Sequence, residues 1–440
     1  ILAATEAPGR VQTTMVTDRR SDGPWRPAEY EGYDPLPIVD LKIHVLGKLS
    51  AGSKSGPQRT DLLLRIITED GPEGWCTNFS IDTAHVMAGC FREHLIGRDA
   101  LARERIWHDL LMAQRLHHLP KDLRGAIDIA LWDLWGRVAE QPVYQLLGGL
   151  THDKMRIYNT CAGYRYVRSR PNWSLDDWGT GGSAEGPYED LEAFLHSAGA
   201  LAESLLEEGI TGMKIWPFDF AAKASGGYYI SNADLDTALE PFRKIRATVG
   251  NKMDIMVELH SLWRFPAAIK IAEALEEFDP FWFEDPIRMD SIDAVAEFAN
   301  ATNVPVCASE TLGARWEHHK ILEAGAAGII MPDLTWCGGI SEAKKIASLA
   351  ETYHRPIAPH DCSGPVALMA CIHLCLNVPN ALVQETVRAF YTGWYKELVT
   401  TLPKIENGHV YPPEGPGLGT DLLPEVFERP DIHVTATDAD

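Results

Sequence analysis

The chain has 440 residues, a formal net charge of −22 and 45% hydrophobic content. That length allows two or three domains with sizeable cores. An acidic surface without a basic block argues against a nucleic-acid partner, and no apolar run approaches the roughly 20 residues of a membrane helix.

Residues 1–35 have no apolar core of the signal-peptide kind and read as a polar arm. From Pro37 onward, Val39, Leu41, Ile43 and Val45 alternate with Asp40, Lys42 and His44, the period of a half-buried strand. Residues 61–67 repeat the pattern and end at the turn Glu69-Asp70-Gly71. Between them, residues 50–58 form a small-residue loop, expected to be mobile and to cover a pocket. A helix over 122–140 places Ile127, Leu131, Leu134 and Val138 on one face, and QLLGGL (145–150) supplies its stop. Strands followed by helices predict an α+β domain over 36–150.

Beyond Met155 strands and helices alternate. A strand ending at Thr160 precedes a Gly/Ser/Trp-rich segment, a helix over 190–208, the strand GMKIW ending at Trp216, and a helix over 235–249. Six polar residues then close short apolar runs at steps of 26, 26, 23, 27 and 25 residues: Glu258, Glu284, Glu310, Asp333, His360 and Glu385. One step is the length of a strand plus a returning helix, and polar groups at successive strand ends are where a β/α barrel builds its active site. The prediction is an α/β chain: a modified (β/α)7β TIM-like barrel over 151–398 whose last helix is missing or replaced, with an N-terminal α+β capping domain. The Pro/Gly-rich tail, within 399–440, is expected to return to the cap. The eight cysteines include no CxxC pair, which fits reduced core thiols of a cytoplasmic protein.

Three carboxylates on adjacent strand ends make a hard-oxygen site that suits Mg²⁺ better than zinc. Asp333 and His360 suit a dyad in which the carboxylate orients the imidazole. Strand alternation aims Glu258 with His260, and Lys214 with Trp216, into the barrel mouth. Tyr164, Arg165, Tyr166, Arg168 and Arg170 could hold a polyhydroxylated anion, with Trp216 and Trp336 as pocket walls. The pairs His117-His118 and His318-His319 read as surface residues.

Lys on the second barrel strand, acid-x-polar on the third, FEDP, SE, PD followed by GGI, and APH on the next four resemble the enolase superfamily. The mandelate racemase subgroup is the nearest pattern, and the stretch from Ala126 to Gly149 is similar to that family's domain-joining helix. The resemblance implies one Mg²⁺ per subunit on Glu258, Glu284 and Glu310, a base His360 oriented by Asp333, and a proton abstracted α to a carboxylate to give an enediolate. It also implies that Glu385 hydrogen-bonds the substrate carboxylate, that Lys214 gives electrostatic support, and that the protein is a homo-oligomer of two to eight subunits. Two positions depart from the pattern: Glu258 stands where an Asp is usual, and Trp216 where racemases carry a second lysine. The acid-x-His at 258–260 is similar to that of D-galactonate or D-mannonate dehydratases, which makes His260 the acid for a departing C3 hydroxyl and an aldonate the expected substrate. A cycloisomerase or epimerase, and a non-catalytic relative, are the alternatives.

Overall fold

A computed structural model describes residues 35–46, 61–69, 71–77, 87–119, 123–164, 166, 186, 188–429 and 432–436. The expected polar arm (except Pro35), the loop at 50–58, Arg165, Arg168 and Arg170 lie outside the described residues.

The first sheet begins with strands β1 (Ile38–Leu46), β2 (Asp61–Thr68) and β3 (Glu73–Thr77), all antiparallel. Leu41 and Ile43 are buried as the alternation requires, but Val39 is exposed and Ile38 is buried. The register of β1 against β2 shifts between Ile38 and Asp40, and such a bulge resets which side chains face the core.

Helices α1 (Arg103–His117) and α2 (Leu123–Val138) follow. The expected one-sided stripe on α2 is not what forms. All but three of its sixteen residues are buried, while Val138, assigned to the apolar face, is exposed. The helix is clamped from two sides by glycines. A Cβ on Gly74 of β3 would come within 1.9 Å of the Ala130 carbonyl oxygen, and a Cβ on Gly125 within 2.0 Å of that of Thr335. Only glycine permits such backbone approach.

The barrel strands are β4 (Met155–Thr160), β5 (Gly212–Ile215), β6 (Asp254–Glu258), β7 (Trp282–Glu284), β8 (Val306–Ala308) and β9 (Ile329–Ile330), parallel and paired in that order. The seventh position is reduced to parallel bridges, Ile330 with Ile357 and Asp333 with His360. Strand β10 (Gln384–Thr386) pairs back onto β4 and closes the barrel. Its interior is filled by Tyr158, Met256, Trp282, Cys307, Ile329, Met331, Ala358 and Val383, so the barrel is a packed core with a site only at its end.

The expected helix over 190–208 is two helices, Asp190–His196 and Ala198–Glu207, broken at Ser197. The second packs closely on the helix Asn232–Val249, where a Cβ on Gly199 would meet Thr248 at 2.2 Å. Directly after β10 come the short helix Arg388–Tyr391 and a 3₁₀ turn, Trp394–Glu397, in place of a long returning helix. Arg388 takes over the fastening that a last helix would provide. Its guanidinium grips Asp190 through two bonds of 2.7 Å and also reaches Glu208 at 2.7 Å.

The tail runs through a hairpin, β11 (Ile405–Glu406) and β12 (His409–Val410), that adds to β4. It then crosses the end of α2, where the Leu418 N–H donates to Asp133 at 2.9 Å and Arg137 meets Asp421 at 2.7 Å. Finally β13 (Ile432–Ala436) pairs with β1, giving the order β13-β1-β2-β3. No helix among the described residues is long and apolar enough to cross a membrane. All eight cysteines are free, six of them buried.

Candidate active site

Parallel pairing in register brings the polar strand ends to one end of the barrel. Glu258 lies opposite Glu284 in the β6–β7 ladder, and Glu310 follows β8 by two residues. One carboxylate oxygen from each of the three lies within 4.8 Å of the other two. The loop after β6 is pinned to β7: Leu259 N–H donates to Glu284 O and Ser261 N–H to Asp285 O. His260 and Ser261 adopt left-handed backbone there, so His260 lies in the turn beyond the strand, where its own N–H donates to Glu258 Oε1 at 2.5 Å.

Lys214 sits beneath this cluster, almost fully buried, with Nζ 2.5 Å from Glu284, 2.9 Å from Glu385 and 3.5 Å from Glu258. Burial opposes its charge, but Glu284 and Glu385 hold its pKa well above the usual value. Glu385 is fully buried and serves this interior network. One of its oxygens takes Lys214 and the Thr160 hydroxyl, the other the Asp361 N–H at 2.8 Å.

On the far side, His360 Nδ1 donates to Asp333 Oδ2 at 2.8 Å and Nε2 faces Glu310 at 2.9 Å. Burial works against a charged ring, yet Glu310, Glu385 and the Asp333 hydrogen bond raise its pKa well above the usual value. Burial likewise opposes charge on Glu310, but His360 brings its pKa down to about 2. Asp333 has a second duty. Its Oδ1 accepts the Thr335 N–H at 2.7 Å, the Thr335 hydroxyl at 2.5 Å and the Trp336 N–H at 3.0 Å, capping the short helix Leu334–Cys337. The Trp336 ring lies 5.3 Å from the His360 ring.

Trp216, also buried, packs among Tyr166 and Phe194 and presents its ring to His260 at 5.8 Å. Tyr164 is held by the segment after β10, its hydroxyl donating to Glu397 at 3.0 Å. His117 and His118 are exposed; His318 is not. It is fully buried on the inner face of the helix Arg315–Glu323, beside the buried Ile321 and Leu322.

Three groups were missed from the sequence. Asp219, fully buried at the head of the helix Asp219–Ser225, accepts from His260 Nδ1 at 2.7 Å. Asp285, next to Glu284, accepts the Ser309 hydroxyl at 2.6 Å. Cys362 hydrogen-bonds His360. Asp285 could have been read from its place in FEDP. Asp219 follows Trp216 by three residues but sits off the strand-end register, so nothing local marks it.

The charges in this cluster test whether a cation fits. Glu258, Glu284, Asp285, Glu310 and Glu385 are gathered around one lysine and two imidazoles. Burial pushes Glu258 up to about 7, Asp285 up to about 8, and Glu284 well above the usual carboxylate range. Carboxylate oxygens of Glu258 and Glu284 lie within 4.8 Å of each other, and two buried like charges so close favour retention of a proton. An all-oxygen set that must hold protons to coexist is suited to a hard divalent cation.

Comparisons with known proteins agree with this architecture. Residues 48–148 match the mandelate racemase/muconate lactonizing enzyme N-terminal domain, and residues 197–426 the enolase C-terminal domain-like family. The chain is 30% identical to the D-galactonate dehydratase of Ralstonia nicotianae over 82% of its length and 88% of the relative's. It is 29% identical to that of Pectobacterium atrosepticum, over 84% and 90%. Among solved structures, an enolase of the mandelate racemase subgroup from Agrobacterium tumefaciens shares 40% identity with a TM-score of 0.75, covering 91% of this chain and 99% of that one. An enolase protein from Sargasso Sea environmental sequencing shares 40% identity with a TM-score of 0.77, covering 91% and 98%. The chain therefore belongs to the mandelate racemase/muconate lactonizing enzyme family of the enolase superfamily.

Proposed function

We propose that this protein is a Mg²⁺-dependent sugar-acid dehydratase, a hydro-lyase acting on an aldonate such as D-galactonate or D-gluconate. The observation that carries the proposal is the placement of two imidazoles, each bonded to a carboxylate, at the ends of the third and seventh barrel positions on either side of the acidic cluster. The D-galactonate dehydratase relatives support the substrate class.

Bound at Glu258, Glu284 and Glu310, Mg²⁺ would neutralise the cluster and the substrate carboxylate and so acidify the C2 proton. His360, its Nδ1 held by Asp333, removes that proton through Nε2, and the C2–H electron pair passes into the enediolate. Lys214 offsets the charge that develops on the carboxylate side. His260 then donates a proton from Nε2 to the C3 hydroxyl as the C3–O bond breaks and water leaves. The resulting enol tautomerises to a 2-keto-3-deoxy acid. Hydroxide leaves poorly, and a positioned acid is worth about 10²–10⁴-fold.

Imidazoles on both sides also favour a second reading, an epimerase that exchanges the C2 proton between faces. Incubating mono- and diacid sugars with the protein and Mg²⁺, with semicarbazide to detect a 2-keto product, separates the two. Semicarbazone formation that stops with chelator is expected; epimer without keto product would replace the dehydratase reading.

A further inference from the structure

Asp219 is an expensive group for the fold to keep. It is fully buried, its Oδ1 has no hydrogen-bond partner among the described residues, and burial raises its pKa. It does not cap the helix it heads. A buried carboxylate with one partner destabilises a protein unless something else requires it. Its Oδ2 accepts from His260 Nδ1 at 2.7 Å.

We propose that Asp219 is a positioning residue that fixes His260 as the proton donor of the elimination; this deepens the dehydratase reading and rests on it. A carboxylate accepts hydrogen bonds and cannot donate, so Nδ1 of His260 carries its hydrogen. Any proton passed to substrate must then leave from Nε2. The Trp216 ring also meets the imidazole edge-on at 5.8 Å, and the backbone N–H of His260, tied to Glu258, fixes the turn that carries it. The result mirrors the His360–Asp333 pair across the barrel, with one difference. Asp333 is anchored by the backbone of Thr335 and Trp336, whereas Asp219 hands its hydrogen-bonding capacity to the imidazole. Where a carboxylate orients a catalytic imidazole, its amide analogue has cost up to about 10⁴ in rate through the wrong tautomer.

The test has two arms, both on the full chain. In the first, histidine labelled with ¹⁵N reports ring tautomers by NMR, with and without Mg²⁺, and His260→Asn identifies the signal. The ring should show a protonated Nδ1 that becomes a tautomer mixture in Asp219→Asn; an unchanged ring overturns the proposal. In the second, a turned-over sugar acid is incubated in D₂O with Mg²⁺, comparing C2 exchange with dehydration. Asp219→Asn should keep exchange, which His360 performs, while the ratio of exchange to dehydration rises by roughly ten-fold or more. Asp219→Asn/His260→Asn should be no slower than His260→Asn, because a residue acting through another adds no further loss. Parallel loss of exchange and dehydration, or multiplied losses in the double variant, assigns Asp219 a structural role and overturns the proposal. A wild type without dehydration would overturn the dehydratase reading and the donor role together, while the NMR arm still decides whether Asp219 sets the ring.

Discussion

Gly125 on α2 lies so close to Thr335 that a Cβ there would come within 2.0 Å of the Thr335 carbonyl oxygen. Thr335 in turn gives two hydrogen bonds to Asp333, which orients His360. A helix that joins the first sheet to the barrel therefore presses directly on the support of the proposed base. We predict that Gly125→Ala lowers stability by about 1–3 kcal/mol through overpacking and slows C2 exchange as well. Urea unfolding and exchange in D₂O check this; a variant normal in both shows that the contact relaxes without reaching Asp333.

The proposed roles of the two imidazoles differ, and so should their variants. His360→Asn is expected to abolish both C2 exchange and turnover. His260→Asn should lose dehydration by about 10²–10⁴-fold while exchange survives. Full dehydratase activity in His260→Asn would remove it from the mechanism.

Lys214 is the one lysine among the described residues that pairs with the buried carboxylates of the site. Without metal, Lys214→Met should cost about 3–5 kcal/mol, since carboxylates are left buried and unpaired. Added Mg²⁺ should recover much of this, because a ligand at 100 times its Kd stabilises by about 2.7 kcal/mol. Urea midpoints with chelator and with Mg²⁺ measure both effects, and midpoints indifferent to Mg²⁺ in both proteins would mean that the cluster holds no cation.

Arg388 fastens the short segment after β10 to Asp190 and Glu208. Arg388→Met is expected to destabilise by about 3–5 kcal/mol by leaving the buried Asp190 without its counter-charge, with Asn159 as its remaining donor. Replacing Asp190 by Leu as well should restore part of the loss. An additive double variant, seen in the same urea assay, would show that the pair is not the origin of the effect.

His318 gives a pH dependence whose sign can be worked out. Burial lowers its pKa from 6.5 to about 4, so between those values the unfolded chain binds more protons than the folded one. Its contribution is complete above pH 6.5 and declines as pH falls toward 4, by up to about 3 kcal/mol. His318→Leu should flatten the acid loss in that window relative to wild type. Parallel pH profiles of the urea midpoint would rule out this source.

Much of the barrel and its acidic cluster is legible in the sequence because a strand and its returning helix have nearly fixed lengths. A polar residue that closes one apolar run then predicts the next. What escapes is whatever depends on contacts between elements. The bulge at Ile38/Asp40 exposes Val39, and α2 is buried on nearly every side because two glycines bring backbones against it. The break at Ser197 lies two residues before Gly199, which packs against Thr248 of the neighbouring helix, and Asp219 finds His260 only once β5 and β6 are paired. His318 was readable, since its spacing of three and four residues to Ile321 and Leu322 marks a single helix face.

Asp333 divides its two oxygens between starting a helix and holding an imidazole. Any substitution there disturbs the chain's path and the base together, so position 333 is pinned twice. Asp219 caps nothing, and its exchange would leave the local backbone intact. A descendant of this protein acquiring different chemistry would meet less resistance at the third barrel position than at the seventh, which makes 219 and 260 the natural entry points for redesign.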